Sequence, residues 1–201
     1  MKKYILWIIV CVTFYSCAQG KKPVLGETEH QKAQNAYFKD ATTSPLKDKD
    51  RKQFKGLDFF KFDSTYVVTA RFKRTPNEPI FKMKTTTDRT PEYVKYGELN
   101  FNLKGKNFKL NIYQNQGLIE TEGYEDYLFL PFLDETNGLE SYGGGRYIDA
   151  RIPKGDTIII DFNKAYNPYC AYNEKYSCPI VPRKNYLKTS IEAGVKAFGK
   201  Y

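Results

Sequence analysis

From Ser64 onward, hydrophobic residues recur at every second position. Across residues 66–73, Tyr66, Val68, Ala70 and Phe72 fall on one side and Thr69, Arg71 and Lys73 on the other. This is the two-residue period of a half-buried strand. Residues 80–86 alternate similarly, and residues 93–104 set Leu99, Phe101 and Leu103 against Glu98, Asn100, Asn102 and Lys104. Gly105-Lys106 then turns the chain into a strand over residues 108–113, which together read as a hairpin. Further strands are predicted over residues 127–132, 146–152 and 157–162. Each strand keeps one polar face, as antiparallel sheets do. The pattern predicts a mainly β fold, an antiparallel barrel or sandwich of about seven to nine strands. Ahead of it, Ala33, Ala36 and Tyr37 stand at helical spacing in residues 27–40, with Thr28 offering an N-cap oxygen. A short N-terminal helix is expected there, and residues 48–54 could add one more helical turn before Gly56.

The first residues follow another logic. Met1-Lys2-Lys3 is a positive start, residues 4–14 are an apolar run, and Tyr15-Ser16 leads to Cys17. These are the parts of a secretory signal, and the run is too short for a spanning helix, which needs about 20 residues. Phe14-Tyr15-Ser16-Cys17 resembles a bacterial lipobox, which makes Cys17 the expected lipidation site. The division is then a signal peptide over residues 1–16, a lipidated Cys17 with a polar tether over residues 17–26, and a single β-rich domain over residues 27–201. In a Gram-negative cell, the lack of Asp after Cys17 resembles outer-membrane sorting, facing the periplasm. The expected partner at this end is a lipid bilayer.

Charge narrows the function little. The chain carries a formal net charge of +9, but its lysines are scattered and accompany no basic helix, zinc finger or RNA-binding signature, so no nucleic-acid partner is expected. His30 is the only histidine, which leaves a catalytic triad or a histidine-ligated metal hard to build. No metal is expected, and no cofactor motif is present. Asp134, Glu135, Asn137 and Glu140 lack the alternating spacing of a calcium loop.

Two segments could carry chemistry. In the first, Gly143-Gly144-Gly145 precedes Arg146; exposed backbone N–H groups beside a guanidinium would suit a small anionic ligand, while a plain turn needs the same glycines. In the second, residues 161–185 hold Tyr166, Tyr169, Tyr172 and Tyr176 together with Cys170 and Cys178. Outside the cytoplasm, two thiols eight positions apart read as a disulfide; a redox or ligand-binding pair is the alternative. Asp161, Asn163, Asn167 and Asn173 are candidate polar groups of a pocket, though Asp and Asn are also turn formers.

The run Asp161-Phe162-Asn163 with Asn167-Pro168-Tyr169-Cys170-Ala171-Tyr172, followed by Cys178-Pro179, resembles domain of unknown function 1684. So do Phe54-Lys55-Gly56-Leu57, Glu140-Ser141-Tyr142 with the glycines and Arg146-Tyr147, and Ala193-Gly194. Val181-Pro182 stands where a second proline pair is usual, and Val195 where an acidic residue is. The resemblance brings no activity. It implies members that lack an export signal yet keep the cysteine block, where a purely structural disulfide would not persist. Two readings follow. One is a binding module for a small anionic ligand or an envelope protein, with Arg146, Gly144, Gly145, Asp161, Asn163, Tyr169 and Tyr172 as contact candidates. The other is an enzyme of unknown reaction using Cys170 and Cys178.

Overall fold

A computed structural model describes residues 24–199. The signal-like stretch, Cys17 and most of the tether lie outside the described residues. The order is α1 (Glu29–Lys39), α2 (Asp48–Gln53), β1 (Val67–Arg74), β2 (Ile80–Lys82), β3 (Glu92–Leu103), β4 (Lys106–Asn115), β5 (Tyr127–Asp134), β6 (Arg146–Arg151), β7 (Thr157–Asp161) and β8 (Tyr186–Leu187). The strands make one sheet in the order β6-β5-β4-β3-β1-β7, with β2 on β3 and β8 on β5. Every pairing is antiparallel except β5 with β8. The mainly β architecture with a short N-terminal helix agrees with the alternation. No helix among the described residues is long and apolar enough to cross a membrane.

The β3–β4 turn differs from expectation by one residue. Leu103 pairs with Lys106, so the turn residues are Lys104 and Gly105, at φ 50° and 79°. A two-residue hairpin loop of this kind needs positive φ at both positions, which glycine adopts freely. At the other end, α1 starts with a capping box: the Gln31 N–H donates to the Thr28 hydroxyl at 3.2 Å, and Gln31 Oε1 accepts from the Thr28 N–H at 3.2 Å.

One apolar cluster contains Val68 of β1, Leu99 of β3, Leu110 of β4, Leu130 of β5, Ile148 of β6 and Ile160 of β7. Side chains from both end strands therefore meet in the same core, so the sheet curls round it. The alternate residues of β4, β5 and β6 do something else. Tyr113, Phe129 and Tyr147 join Met83, Tyr93 and Val181 in a separate cluster on the opposite face. This second covered face explains why β5 is apolar at nearly every position. A third cluster packs Phe38 of α1 with Leu46, Leu57, Phe59, Tyr172 and Val195.

A fully buried ion pair ties the end of β5 to the start of β6. Arg146 Nη2 lies 2.8 Å from Asp134 Oδ2, and both side chains are inaccessible. The guanidinium also donates to the carbonyls of Ile191, at 2.7 Å, and Ala193. Asp134 Oδ1 accepts from the Thr136 hydroxyl at 2.6 Å and from the Ile191 N–H at 3.1 Å. Removing one partner of such a pair strands the other charge out of water. We expect Asp134→Ala to lower the unfolding free energy by about 3–5 kcal/mol in urea titrations. The double variant Asp134→Leu/Arg146→Met should lose less, because no uncompensated charge remains.

Candidate functional site

The second face of β5 and β6 is the floor of a cleft of about 430 Å³. Phe129 and Tyr147 are neighbours there, with ring centroids 4.7 Å apart in an edge-on arrangement. Two residues beyond Tyr147 on the same face stands Asp149. Its Oδ1 accepts from the Tyr127 hydroxyl at 2.7 Å and from the Tyr166 hydroxyl at 2.5 Å. Tyr166 reaches this point because its backbone bridges Tyr147 in both directions, at 2.9 and 3.0 Å. The segment after β7 thus covers the edge of β6, which would otherwise present unpaired backbone groups. One wall is His30, Gln34 and Phe38 of α1; the other is Asn167, Pro168, Tyr169 and residues 176–179. Arg89 and Lys164 bring positive charge to the lining.

The chemistry of this lining is set by burial. Burial first, then the Asp149 charge, hold the Tyr127 phenol far above the ordinary tyrosine range. Tyr166 is raised as well, chiefly by burial and then by Tyr127 and Asp149. Both hydroxyls therefore stay protonated and donate to Asp149. Burial, followed by the nearby Lys164 charge, lowers His30 and favours its neutral form. Asn167 is almost fully buried; its Nδ2 donates to the Lys196 carbonyl at 2.9 Å, while its Oδ1 has no hydrogen-bond partner among the described residues.

The two thiols sit at one end of the cleft. Cys178 is buried and belongs to the lining; Cys170, in a 3₁₀ turn over Tyr169–Ala171, is half-buried. The Cys170 N–H donates to Cys178 Sγ at 3.1 Å. The Cys170 thiol is drawn down to about 6, first by Cys178 and, against burial, by the hydroxyls of Tyr142 and Thr86. The Cys178 thiol moves up, because it supplies the proton to Cys170 and because it is buried. Among the described residues, no group of three or more His, Cys, Asp or Glu side chains could hold a metal.

The expected site residues divide. Tyr169, Cys178 and Asn167 line the cleft, and Cys170 adjoins it. Arg146 does not line it: its side chain is fully buried, with the two terminal nitrogens on Asp134 and the C-terminal carbonyls and Nε without a partner among the described residues. Gly145, at φ 89°, and Gly144 also belong to the framework: an added Cβ would lie 2.7 Å from the Phe132 carbonyl and 2.5 Å from the Tyr142 ring respectively. Asp161 caps the turn after β7 by accepting from the Asn163 N–H at 3.0 Å. Asn163 in turn clasps the Asp63 backbone, and Tyr172 is buried in the third cluster. Asp149, Tyr127, Arg89 and Lys164 were not expected at a site from the sequence, and His30, noted there as the only histidine, was set aside as a catalytic or metal-binding group. The one usable signal was the unbroken apolar character of β5, which implies a second covered face opposite the core.

A family model described as "Protein of unknown function (DUF1684)" matches residues 52–196. The chain belongs to this family. Among solved structures it is similar to the solution NMR structure of the uncharacterized protein from gene locus rrnAC0354 of Haloarcula marismortui. That similarity is 32% identity over 85% of this chain and 92% of the other, with a TM-score of 0.66. No curated protein matches.

The raised phenols give this family member an alkaline limit. Groups that hold protons more tightly when folded contribute stability below their unfolded pKa, about 10 for tyrosine, and lose it as pH rises above that. Absorbance titration should show Tyr127, Tyr147 and Tyr166 silent while exposed tyrosines ionise, then appearing together with unfolding. Their ionisation at about pH 10 in the folded protein would contradict the geometry.

Proposed function

We propose that the protein is a small-ligand-binding domain held at the cell envelope by a lipid on Cys17, at an outer membrane facing the periplasm. The observation that carries the binding reading is the cleft itself: a floor of aromatic rings, Asp149 held there by the Tyr127 and Tyr166 hydroxyls, and Arg89 and Lys164 in the lining. The cleft is of the size that takes a small molecule. Its ring-lined floor suits an apolar or planar body, and Arg89 and Lys164 an anionic group. Anion recognition thus passes from Arg146 to these two side chains. The compact volume favours a small organic anion over a segment of an envelope protein.

Thermal melts of the purified protein in detergent, against a panel of small ring-bearing organic anions, test this. A ligand present at 100 times its dissociation constant should add about 2.7 kcal/mol. Lys164→Ala should weaken that gain while leaving the ligand-free melt close to wild type. A panel and envelope extract that produce no shift would reject the binding reading. Anchoring is tested separately: Cys17→Ser should move the protein from the membrane to the soluble fraction.

A further inference from the structure

The cleft carries two charges of opposite sign that the fold leaves unanswered. Asp149 accepts both phenols on Oδ1, and its Oδ2 has no partner among the described residues. Arg89 donates through Nε to the Ser177 hydroxyl at 3.3 Å and through Nη2 to the Ser177 carbonyl at 3.1 Å, while its Nη1 has no partner among those residues. Neither side chain has an ion-pair partner among the described residues. Both are exposed, so a solute in the cleft can reach them. Lys164, the other cation of the lining, is already 4.0 Å from Asp161.

A row of rings separates the two charges. Tyr166, with its hydroxyl on Asp149, is followed by Tyr147, Phe129 and Tyr93, with successive centroids 5.8, 4.7 and 5.8 Å apart. Tyr93, at the far end, lies within reach of the Arg89 charge. All four rings line the cleft. On the α1 wall, His30 and Gln34 stand one turn apart, half-buried, with no side-chain hydrogen bond among the described residues.

A simple anion would answer only one end of this arrangement. An unpaired carboxylate and an unpaired guanidinium in one cleft are the complement of a molecule that carries both signs. An ammonium offers three donors and no acceptor, so it suits the open Oδ2 of Asp149. A carboxylate suits the guanidinium of Arg89 through charge-assisted hydrogen bonds. Between them the rings favour apolar side chains, and Gln34, which both donates and accepts, matches an amide group. Charges held apart by the ring row call for more than a single amino acid, since each further residue lengthens a chain by up to about 3.3–3.6 Å.

Resting on the binding reading above, we propose that the cleft takes a short apolar peptide, free at both ends, with its ammonium on Asp149 and its carboxylate on Arg89. Asp149 is then the residue that tells such a dipolar ligand from a plain organic anion.

Isothermal titration of the full chain in detergent with di- and tripeptides of leucine and phenylalanine tests this, each offered free, N-acetylated and C-amidated. The free form should bind at least about tenfold more tightly than either capped form, as expected for one lost hydrogen bond between charged groups. That comparison needs no variant to fold. Asp149→Asn keeps an oxygen for the two phenols but removes the charge. It should abolish the difference between free and acetylated peptides and preserve that between free and amidated ones. Arg89→Gln should do the reverse, with Ser177 and Cys178 still held by Thr85 and Thr86. Equal affinity for free and capped forms, or a preference that both variants leave intact, would overturn the assignment. Peptides that fail to bind while ring-bearing anions still raise the melting temperature would sink this inference and leave the binding reading standing. If neither class has any effect, both are rejected.

Discussion

The buried pairing of Arg146 with Asp134 is the constraint on which the rest of the architecture rests. Two opposite charges out of water depend on further hydrogen bonds to offset their desolvation. Here that demand recruits Thr136, Ile191 and Ala193, and so draws the C-terminal segment onto the β5–β6 end of the sheet. Tight glycines follow from the same crowding. Gly194, at φ 79°, passes so close to Ala165 that a Cβ would lie 2.5 Å from its carbonyl oxygen. The pair is costly as a source of stability and valuable as a source of registry: it sets where β6 begins, and hence which of its residues face outward.

That placement makes the cleft. With Arg146 directed inward, the alternation of a strand sends Tyr147 and Asp149 to one face and Ile148 to the other. Ile148 enters the main core, while Tyr147 and Asp149 become floor and polar anchor of the cavity. The segment after β7 then lies across them and brings its tyrosines and both cysteines within reach. Core and site are thus two readings of one period. The aromatic residues on the outer face are large enough to need a covering layer, and that layer is the tyrosine-rich segment.

Much of this was legible in the chain and some was not. The strands announced themselves because alternation is a local property, and the helix cap because Thr28 stands just ahead of the helical spacing. The two-residue β8 carries too little pattern to be read, and its parallel pairing to β5 is a tertiary event. Arg146 after three glycines looks like an anion site because nothing nearby in sequence reveals Asp134 as its partner. Of the site, the cysteine block, Tyr169 and Asn167 were visible through unusual composition. Asp149 was not, since it is unremarkable in its own segment, and His30, though the only histidine, had no neighbour in sequence to mark it as a cleft residue.

The helix that forms one wall raises a different point. The family match starts at residue 52, whereas His30, Gln34 and Phe38 belong to α1. The thiols, the aromatic floor and the buried ion pair all lie inside the matched span; this wall does not. It is nonetheless fastened to the frame, because Phe38 is buried among Leu57, Tyr172 and Val195, all of which lie within that span.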